Sequence, residues 1–248
     1  MKYHDLFIDF DDTLYDTHGN AQTALGELFN HFHLERYFPT LEDFTKPYWR
    51  ENVILWTEYA AGRITRDYLI VERFRRPLSL GTLQPTYSTP EEPAGTPFAP
   101  TEDYCLQVSD VFLDLCSCKS GLVDGALDIM DYLRQRGYRL HMCSNGFHEV
   151  QYKKLRACGL IDHFHTIILS EDAGANKPST TFFQYAIDHT GADPTTTLMI
   201  GDNFITDIQG AKRFGLDQCF FNPHPERYAS PEPVTYEINH LLQLKDIL

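Results

Sequence analysis

Short apolar runs alternate with segments of helical spacing over the second half of the chain. The pattern predicts strands over 138–143, 166–169, 198–200 and 218–221, and helices over 125–136, 149–158, 178–189 and 206–214. One more apolar run, over 6–8, predicts a strand near the start of the chain. Strands that alternate with helices predict an α/β fold with a doubly wound parallel sheet and helices on both faces.

The segment between the first strand and residue 120 shows helical spacing only, as in the run Leu25, Leu28, Phe29 and Phe32. We therefore predict an α/β core formed by 1–16 and 120–248, and an inserted all-helical domain over 17–119. Because the insert follows the first strand directly, we expect it to cover the carboxyl edge of the sheet as a lid would. Six prolines within 77–100 predict a Pro-rich surface excursion, partly mobile, inside the insert.

The composition excludes several classes of partner. The 248 residues carry a formal net charge of -14, which disfavours nucleic-acid polymers and anionic membranes. No apolar run approaches the length of a membrane span, and the first residues lack a signal-peptide pattern. Six scattered cysteines, mostly in apolar surroundings, indicate reduced thiols. We expect a cytoplasmic protein that is a monomer or a weak homodimer.

Polar residues follow the predicted strands at the points where the strands end. Asp9-Phe10-Asp11-Asp12-Thr13 follows the first strand, Ser144-Asn145 the second, and Gly201-Asp202 the fourth, with Lys177 in a loop between the third strand and the next helix. In open α/β sheets the carboxyl edge is where ligands bind. Carboxylates crowded at that edge repel one another unless a cation or a proton neutralises them. Oxygen ligands from two acidic segments predict a single Mg²⁺ site.

Together these segments resemble the four motifs of the haloacid-dehalogenase-like (HAD) superfamily. The motifs occur in order as Asp9-Phe10-Asp11-Asp12-Thr13, Ser144-Asn145-Gly146, Lys177-Pro178 and Gly201-Asp202 with Asp207. The resemblance covers the whole core and the position of the insert. It implies a Rossmann-like core with a helical cap of the C1 type. An aspartate two residues after the nucleophile marks phosphoryl transfer in this superfamily, so the resemblance implies a phosphatase or mutase and not a dehalogenase.

A phosphate monoester dianion resists attack by anions, so its hydrolysis needs a nucleophile, in-line positioning and neutralised charge. Asp9 is the candidate nucleophile and would form an aspartyl-phosphate. Asp11 would protonate the leaving oxygen and later activate water. Lys177 would offset the negative charge shared by the nucleophile and the phosphate.

The remaining candidates divide into metal ligands and phosphate contacts. The expected Mg²⁺ ligands are Asp9, Asp11 through its backbone carbonyl, Asp202 and Asp207. Asp207 could equally be an indirect ligand, or only an acidic residue in the first turn of a helix. The residues expected to bind the substrate phosphate are Ser144, Asn145 and Thr13, with Thr13 also fixing its loop.

The insert resembles the cap of bacterial pyrimidine 5′-nucleotidases. The segments that carry this resemblance are Lys46-Pro47-Tyr48-Trp49, the stretch from Trp56 through Tyr59 to Thr65, and Arg73-Phe74. The implied partner is a small phosphorylated metabolite, and the implied substrate is a nucleoside 5′-monophosphate with a pyrimidine base. Two alternatives stay open: a sugar-phosphate or phosphoglycolate phosphatase or a phosphomutase, and a non-catalytic protein that binds a phosphate ligand.

Overall fold

The computed structural model describes residues 2–226 and 228–248. Within these residues, six parallel strands form the sheet at the centre of the core. The strands are β1 Asp5–Ile8, β2 Arg139–Ser144, β3 Thr166–Leu169, β4 Thr197–Gly201, β5 Asp217–Phe221 and β6 Tyr236–Ile238. Their order across the sheet is β3-β2-β1-β4-β5-β6. The chain builds outward from β1 on one side and then from β4 on the other, so the strand order reverses between β1 and β4. Open α/β sheets bind ligands at such a point.

The helices divide between two compact units, one formed by 1–18 and 119–248 and the other by 19–118. The helices are α1 Thr17–His31, α2 Leu41–Ala60, α3 Arg66–Leu78, α4 Glu102–Ser117, α5 Ala126–Gln135, α6 His148–Ala157, α7 Ser170–Ala173, α8 Thr180–Thr190 and α9 Gly210–Phe214. A π-helical segment, Phe204–Gln209, precedes α9. We call the unit formed by 19–118 the helical unit and the other unit the core.

Both faces of the sheet are buried under helices. Successive side chains of β1 point to opposite faces, as the period of a strand requires. Leu6 and Ile8 therefore join one apolar cluster with Ile129 of α5, and Phe7 joins another with Phe183 of α8. Burial of each such side chain contributes about 1.5–3 kcal/mol. The predicted doubly wound α/β fold is confirmed.

Three features of the core differ from the prediction. The predicted helix over 206–214 is divided into the π-helical segment Phe204–Gln209 and α9. Pro178 does not begin a helix: it follows a cis peptide bond with Lys177, and α8 begins at Thr180. Ser179 caps that helix, and its hydroxyl accepts a hydrogen bond from the backbone N–H of Thr181 at 3.2 Å. The edge strand β6 was not predicted, because three residues are too few to show a period of two.

Helices α2, α3 and α4 of the helical unit begin in the same way. The N-cap residues are Thr40, Thr65 and Thr101, and each hydroxyl accepts a hydrogen bond from the backbone N–H three residues on. Caps of this type contribute about 1 kcal/mol each. Phe44, which is fully buried, packs among the apolar side chains of this unit. Among the described residues, no helix combines the length and the apolar character needed to cross a membrane.

The Pro-rich segment departs from its predicted boundary. Pro77 and Leu78 complete α3, so the excursion begins two residues later than expected. The segment also packs against other residues of the helical unit: the Phe98 ring stacks on Tyr37 at 4.1 Å between centroids, and Leu83 is 1% exposed. Proline content correctly predicted the lack of long regular structure, but it carried no information about these tertiary contacts.

Candidate active site

Asp9 lies at the carboxyl end of β1, where the strand order reverses. Its backbone N–H donates to the carbonyl oxygen of Ile200 in β4 at 2.8 Å, which extends the β1–β4 ladder by one residue. The chain then turns sharply, and the backbone N–H groups of Leu14 and Tyr15 both donate to the carbonyl of Phe10 at 2.9 Å. The turn leaves Asp9 7% exposed. Its carboxylate is therefore fixed and nearly dry.

Lys177 is the cation that faces Asp9. Its Nζ lies 2.5 Å from Asp9 Oδ1, 2.7 Å from Asp207 Oδ1 and 2.7 Å from the carbonyl oxygen of Cys143. These three acceptors match the three N–H donors of an ammonium group. Burial lowers the pKa of Lys177, but the Asp207 and Asp9 carboxylates outweigh it and raise that pKa above its ordinary value. Lys177 is thus a buried, permanently charged group.

Three carboxylates at this edge form a candidate cation site. Asp9, Asp202 and Asp207 each place one oxygen within 4.8 Å of the others. Burial raises the pKa of Asp9 to about 7, and burial with repulsion from Asp9 raises the pKa of Asp202 well above its ordinary value. Because Lys177 balances only one of three negative charges, the cluster keeps excess negative charge. An all-oxygen donor set of this kind fits Mg²⁺, which would remove the repulsion.

The position of Asp207 depends on Gly201. Asp207 is fully buried in the π-helical segment, and its Oδ2 accepts a hydrogen bond from the backbone N–H of Asn203 at 3.1 Å. A Cβ atom on Gly201 would overlap the Asp207 carboxylate. Only glycine therefore lets β4 end directly beneath this side chain.

Thr13 links the loops after β1 and β4. Its Oγ1 donates to Asp202 Oδ1 at 2.9 Å and accepts from the Asp202 backbone N–H at 3.0 Å. The side chain is fully buried, and its oxygen lies 3.3 Å from Asp9 Oδ2. The hydroxyl proton goes to a carboxylate in this arrangement, and the two bonds to Asp202 tie the loops together. The expected phosphate contact of Thr13 stays a prediction.

Asn145 fixes the backbone of Lys177. Its Nδ2 donates to the Lys177 carbonyl at 2.9 Å, and its Oδ1 accepts from the Lys177 backbone N–H at 2.8 Å. Both ends of the side-chain amide are therefore engaged. Ser144, the last residue of β2, is 1% exposed beside it.

The Asp11 side chain contacts a different set of groups from Asp9. Lys154 Nζ lies 2.5 Å from Asp11 Oδ1, Thr17 Oγ1 donates to the same oxygen at 2.8 Å, and Gln151 Nε2 donates to Oδ2 at 2.5 Å. Burial raises the pKa of Asp11, but Lys154 and these hydrogen bonds outweigh it, so the pKa lies below its ordinary value. Asp11 is an ionised carboxylate in this arrangement.

Sequence reasoning missed Gln151 and Lys154. Both lie on α6, three residues apart, which places them on one face of the helix. That spacing was a usable signal. It was obscured because His148, Glu149 and Lys153 on the same helix are also polar and are exposed.

A parallel sheet that reverses at β1 and β4, with acidic loops after both strands and a buried lysine between them, defines a hydrolase of the HAD class. Residues 6–215 match the haloacid dehalogenase-like hydrolase family, and the chain belongs to that family. The resemblance stated from the motifs is confirmed, and the protein is an enzyme.

Full-length relatives agree with this assignment. YfnB of Bacillus subtilis (strain 168), named as a HAD hydrolase, is 30% identical over 253 aligned residues, which cover 100% of this chain and 96% of YfnB. A crystal structure of YfnB bound to magnesium matches with a TM-score of 0.81, covering 100% of this chain and 99% of that one. The pyrimidine 5′-nucleotidases PynA of Streptococcus pneumoniae and YjjG of Escherichia coli are 28% and 26% identical, each over 100% of this chain and 96% and 99% of their own.

Proposed function

We propose that this hydrolase is a Mg²⁺-dependent phosphatase that cleaves small phosphate monoesters through an aspartyl-phosphate. The observation that carries the proposal is the position of Asp9. Its carboxylate lies 2.5 Å from a buried ammonium group and within 4.8 Å of two further carboxylates at the ligand-binding edge of the sheet. A nucleophile for phosphorus needs this combination of a fixed oxyanion and nearby positive charge.

The residues that would hold the ion are Asp9, Asp202, Asp207 and the backbone carbonyl of Asp11. When bound, Mg²⁺ supplies positive charge that offsets the repulsion between the nucleophile and a phosphate dianion. The magnesium bound to YfnB supports the same ion here. Lys177 adds a fixed positive charge 2.5 Å from Asp9 Oδ1, and this charge favours the ionised form of the Asp9 carboxylate.

The two half-reactions use Asp9 and Asp11. A carboxylate oxygen of Asp9 bonds to phosphorus as the P–O bond to the leaving group breaks, and the leaving oxygen takes a proton from the Asp11 carboxyl group. Water then attacks phosphorus, the Asp11 carboxylate takes the water proton, and the bond from phosphorus to Asp9 breaks to release inorganic phosphate. The contacts with Lys154, Thr17 and Gln151 favour the ionised form of Asp11, which is the form that the second half-reaction requires. The first half-reaction requires the protonated form, so the proposal includes uptake of one proton from solvent by Asp11 before the P–O bond breaks.

Ser144 and Asn145 are the proposed phosphate contacts beside Lys177. The side-chain amide of Asn145 already binds the Lys177 backbone, so its phosphate contact would come from its own backbone N–H. The Ser144 hydroxyl would be the side-chain donor. Phosphate contacts are common to all monoesters, so they cannot select among substrates.

The proposed substrate is a pyrimidine nucleoside 5′-monophosphate. The names of PynA and YjjG support this class, because both relatives align over the whole chain. In the helical unit Trp49 donates through Nε1 to Gln22 at 2.8 Å, and Trp56 meets Tyr59 edge to face at 5.6 Å. A nucleobase stacked on an aromatic ring gains about 1–3 kcal/mol. Trp56, which lies outside the packed cluster that includes Trp49, is the better candidate for stacking.

The test is hydrolysis of a panel of phosphate esters in the presence of Mg²⁺. The panel contains an aryl phosphate, purine and pyrimidine 5′-monophosphates, and sugar phosphates, ranked by kcat/KM. We expect turnover of the aryl phosphate and the highest kcat/KM for a pyrimidine nucleotide. Trp56→Ala should lower the nucleotide value about tenfold and leave the aryl phosphate value unchanged, with Trp49→Ala as the comparison variant.

The possible outcomes test the phosphatase activity and the substrate class separately. A sugar phosphate that outranks every nucleotide would overturn the substrate class and leave the phosphatase standing. Equal losses on both substrates would show that Trp56 only packs in its helix. No Mg²⁺-dependent turnover of any ester by the wild type would overturn the phosphatase and favour a ligand-binding protein.

A further inference from the structure

Two side chains of α6, Gln151 and Lys154, contact Asp11, and Gln151 also contacts Ser144. Gln151 is fully buried and Lys154 is 7% exposed. Gln151 Nε2 reaches Ser144 Oγ at 2.7 Å and Asp11 Oδ2 at 2.5 Å, and so joins the loop after β1 to the end of β2. Lys154 Nζ binds the other oxygen of Asp11 at 2.5 Å.

The hydrogen bonds at Ser144 determine which way its hydroxyl points. A serine hydroxyl has one proton to donate and two lone pairs that accept. Ser144 Oγ accepts from the backbone N–H of Gly146 at 3.0 Å and from Gln151 Nε2 at 2.7 Å. Because these donors occupy both lone pairs, the hydroxyl has only its proton left to offer. Ser144 can then act toward a ligand only as a donor, which is what a phosphoryl oxygen requires.

The arrangement also depends on Gly146. A Cβ atom on Gly146 would overlap the Gln151 carboxamide. The glycine therefore lets one carboxamide approach the loop closely enough to reach both Ser144 and Asp11. Its own N–H completes the pair of donors at Ser144.

We infer that Gln151 is a positioning residue that commits the Ser144 hydroxyl to donation toward the substrate phosphate, while Gln151 and Lys154 together hold the rotamer of Asp11. The inference rests on the proposed phosphatase function. On this inference α6 belongs to the candidate active site. Gln151 and Lys154, on one face of the helix, orient the Ser144 hydroxyl and the Asp11 carboxylate.

The side-chain oxygen of Gln151 argues against a role in stability alone. Gln151 Oε1 is buried and has no hydrogen-bond partner within the described residues. An unpaired buried acceptor costs free energy, so Gln151→Met, which is similar in shape and apolar, removes that cost along with the two donated bonds. We expect this variant to fold, and thermal unfolding will check that it does.

The test is a double-mutant cycle on phosphate binding. Wild type, Gln151→Met, Ser144→Ala and the double variant are compared by the constant for competitive inhibition of aryl-phosphate hydrolysis by inorganic phosphate. A hydrogen bond to a charged group corresponds to about a tenfold change, so each single variant should weaken inhibition about tenfold. If Gln151 acts through Ser144, the double variant should also be weakened about tenfold.

Variants of Lys154 form the second part of the experiment. Because Asp11 handles the leaving group and not the phosphate, Lys154→Met should lower kcat and leave phosphate inhibition unchanged, and Lys154→Arg should restore part of kcat. Lys153→Met, an exposed neighbour on the same helix, is the matched control and should leave both constants unchanged.

Two results would overturn the inference while the wild type still hydrolyses the ester: phosphate inhibition of Gln151→Met equal to that of the wild type, or about a hundredfold weakening in the double variant. Absence of wild-type turnover would instead count against the proposed function. In that case the same cycle is measured by calorimetric titration with inorganic phosphate, and the same coupling decides it.

Discussion

Asp9→Asn keeps the shape of the proposed nucleophile and removes its charge from the buried cluster. Turnover should fall to background, because the amide cannot attack phosphorus. The effect on stability is the less obvious consequence. Asp9 faces Lys177, but burial and the Asp207 carboxylate raise its pKa to about 7, from an ordinary value of 3.8. In the metal-free protein the ionised carboxylate is therefore a net cost, and asparagine should relieve it.

The magnitude follows from the difference between the two pKa values. Since the pKa of Asp9 is higher in the folded protein than in the unfolded chain, the stability linked to its protonation is fully present below pH 3.8 and is lost as the pH rises toward 7. At 1.36 kcal/mol per pKa unit, Asp9→Asn should be more stable than wild type by about 2 kcal/mol at pH 5 and about 4 kcal/mol at pH 8. For a chain of this size the difference at pH 8 corresponds to roughly 8–16 °C in Tm.

Thermal unfolding of both proteins at pH 5 and pH 8, first in chelator and then in Mg²⁺, measures these differences. Saturating Mg²⁺ should raise the Tm of the wild type more than that of Asp9→Asn, because only the wild type offers the third carboxylate. Asp188→Asn, which removes an exposed carboxylate from α8, is the control and should leave the Tm unchanged. A Tm for Asp9→Asn at or below that of the wild type at pH 8 in chelator would refute the reasoning.

Three further perturbations test other parts of the molecule. Asp202→Ala should raise the Mg²⁺ concentration needed for half-maximal activity at least tenfold, and chelator should silence the wild type; full activity after exhaustive chelation would contradict metal dependence. Gly201→Ala forces the Asp207 carboxylate to move, so Mg²⁺ titration should show weaker binding at unchanged secondary structure, and wild-type affinity would exclude the packing argument. Phe98→Ala removes the stack on Tyr37 and should lower the free energy of unfolding by about 2 kcal/mol in a denaturant titration, because Phe98 is half-buried, whereas no change would show that the Pro-rich segment is only loosely held.

The residues at the strand ends could be predicted because residues that follow parallel strands lie close together at one edge of the sheet. Asp9 and Asp202 each follow a short apolar run, and parallel strands bring their carboxyl ends to one edge, so a shared site follows from the pattern alone. The sheet order and the registers of β1 with β2 and β4 agree with that reasoning. The prediction of a cation site needed no tertiary information beyond the rule that parallel strands end at one edge.

Gln151, Lys154 and the contacts of Thr13 could not be predicted in the same way. A helix shows in its sequence which face is apolar, but α6 carries polar residues on several faces, and only the packed structure determines which of them reach Asp11. The same limit applies to the Pro-rich segment, where the sequence marks Phe98 only as a loop residue and the packed structure shows its stack on Tyr37. Side chains that act through tertiary contacts leave a weak local signal.

The separation of the site residues along the chain has a consequence for folding. Asp9 and Lys177 are 168 residues apart, and Thr13 and Asp202 are 189 residues apart. Loop-closure entropy grows only with the logarithm of length, so the roughly 100 residues inserted between β1 and β2 add about 0.8 kcal/mol to the closure of the Asp9–Lys177 contact. The core could therefore exchange its helical unit for a shorter or longer one at little cost to the site. The same separation means that no local segment can assemble the site, so binding of a metal or phosphate should appear late in refolding, after β1 and β4 have paired.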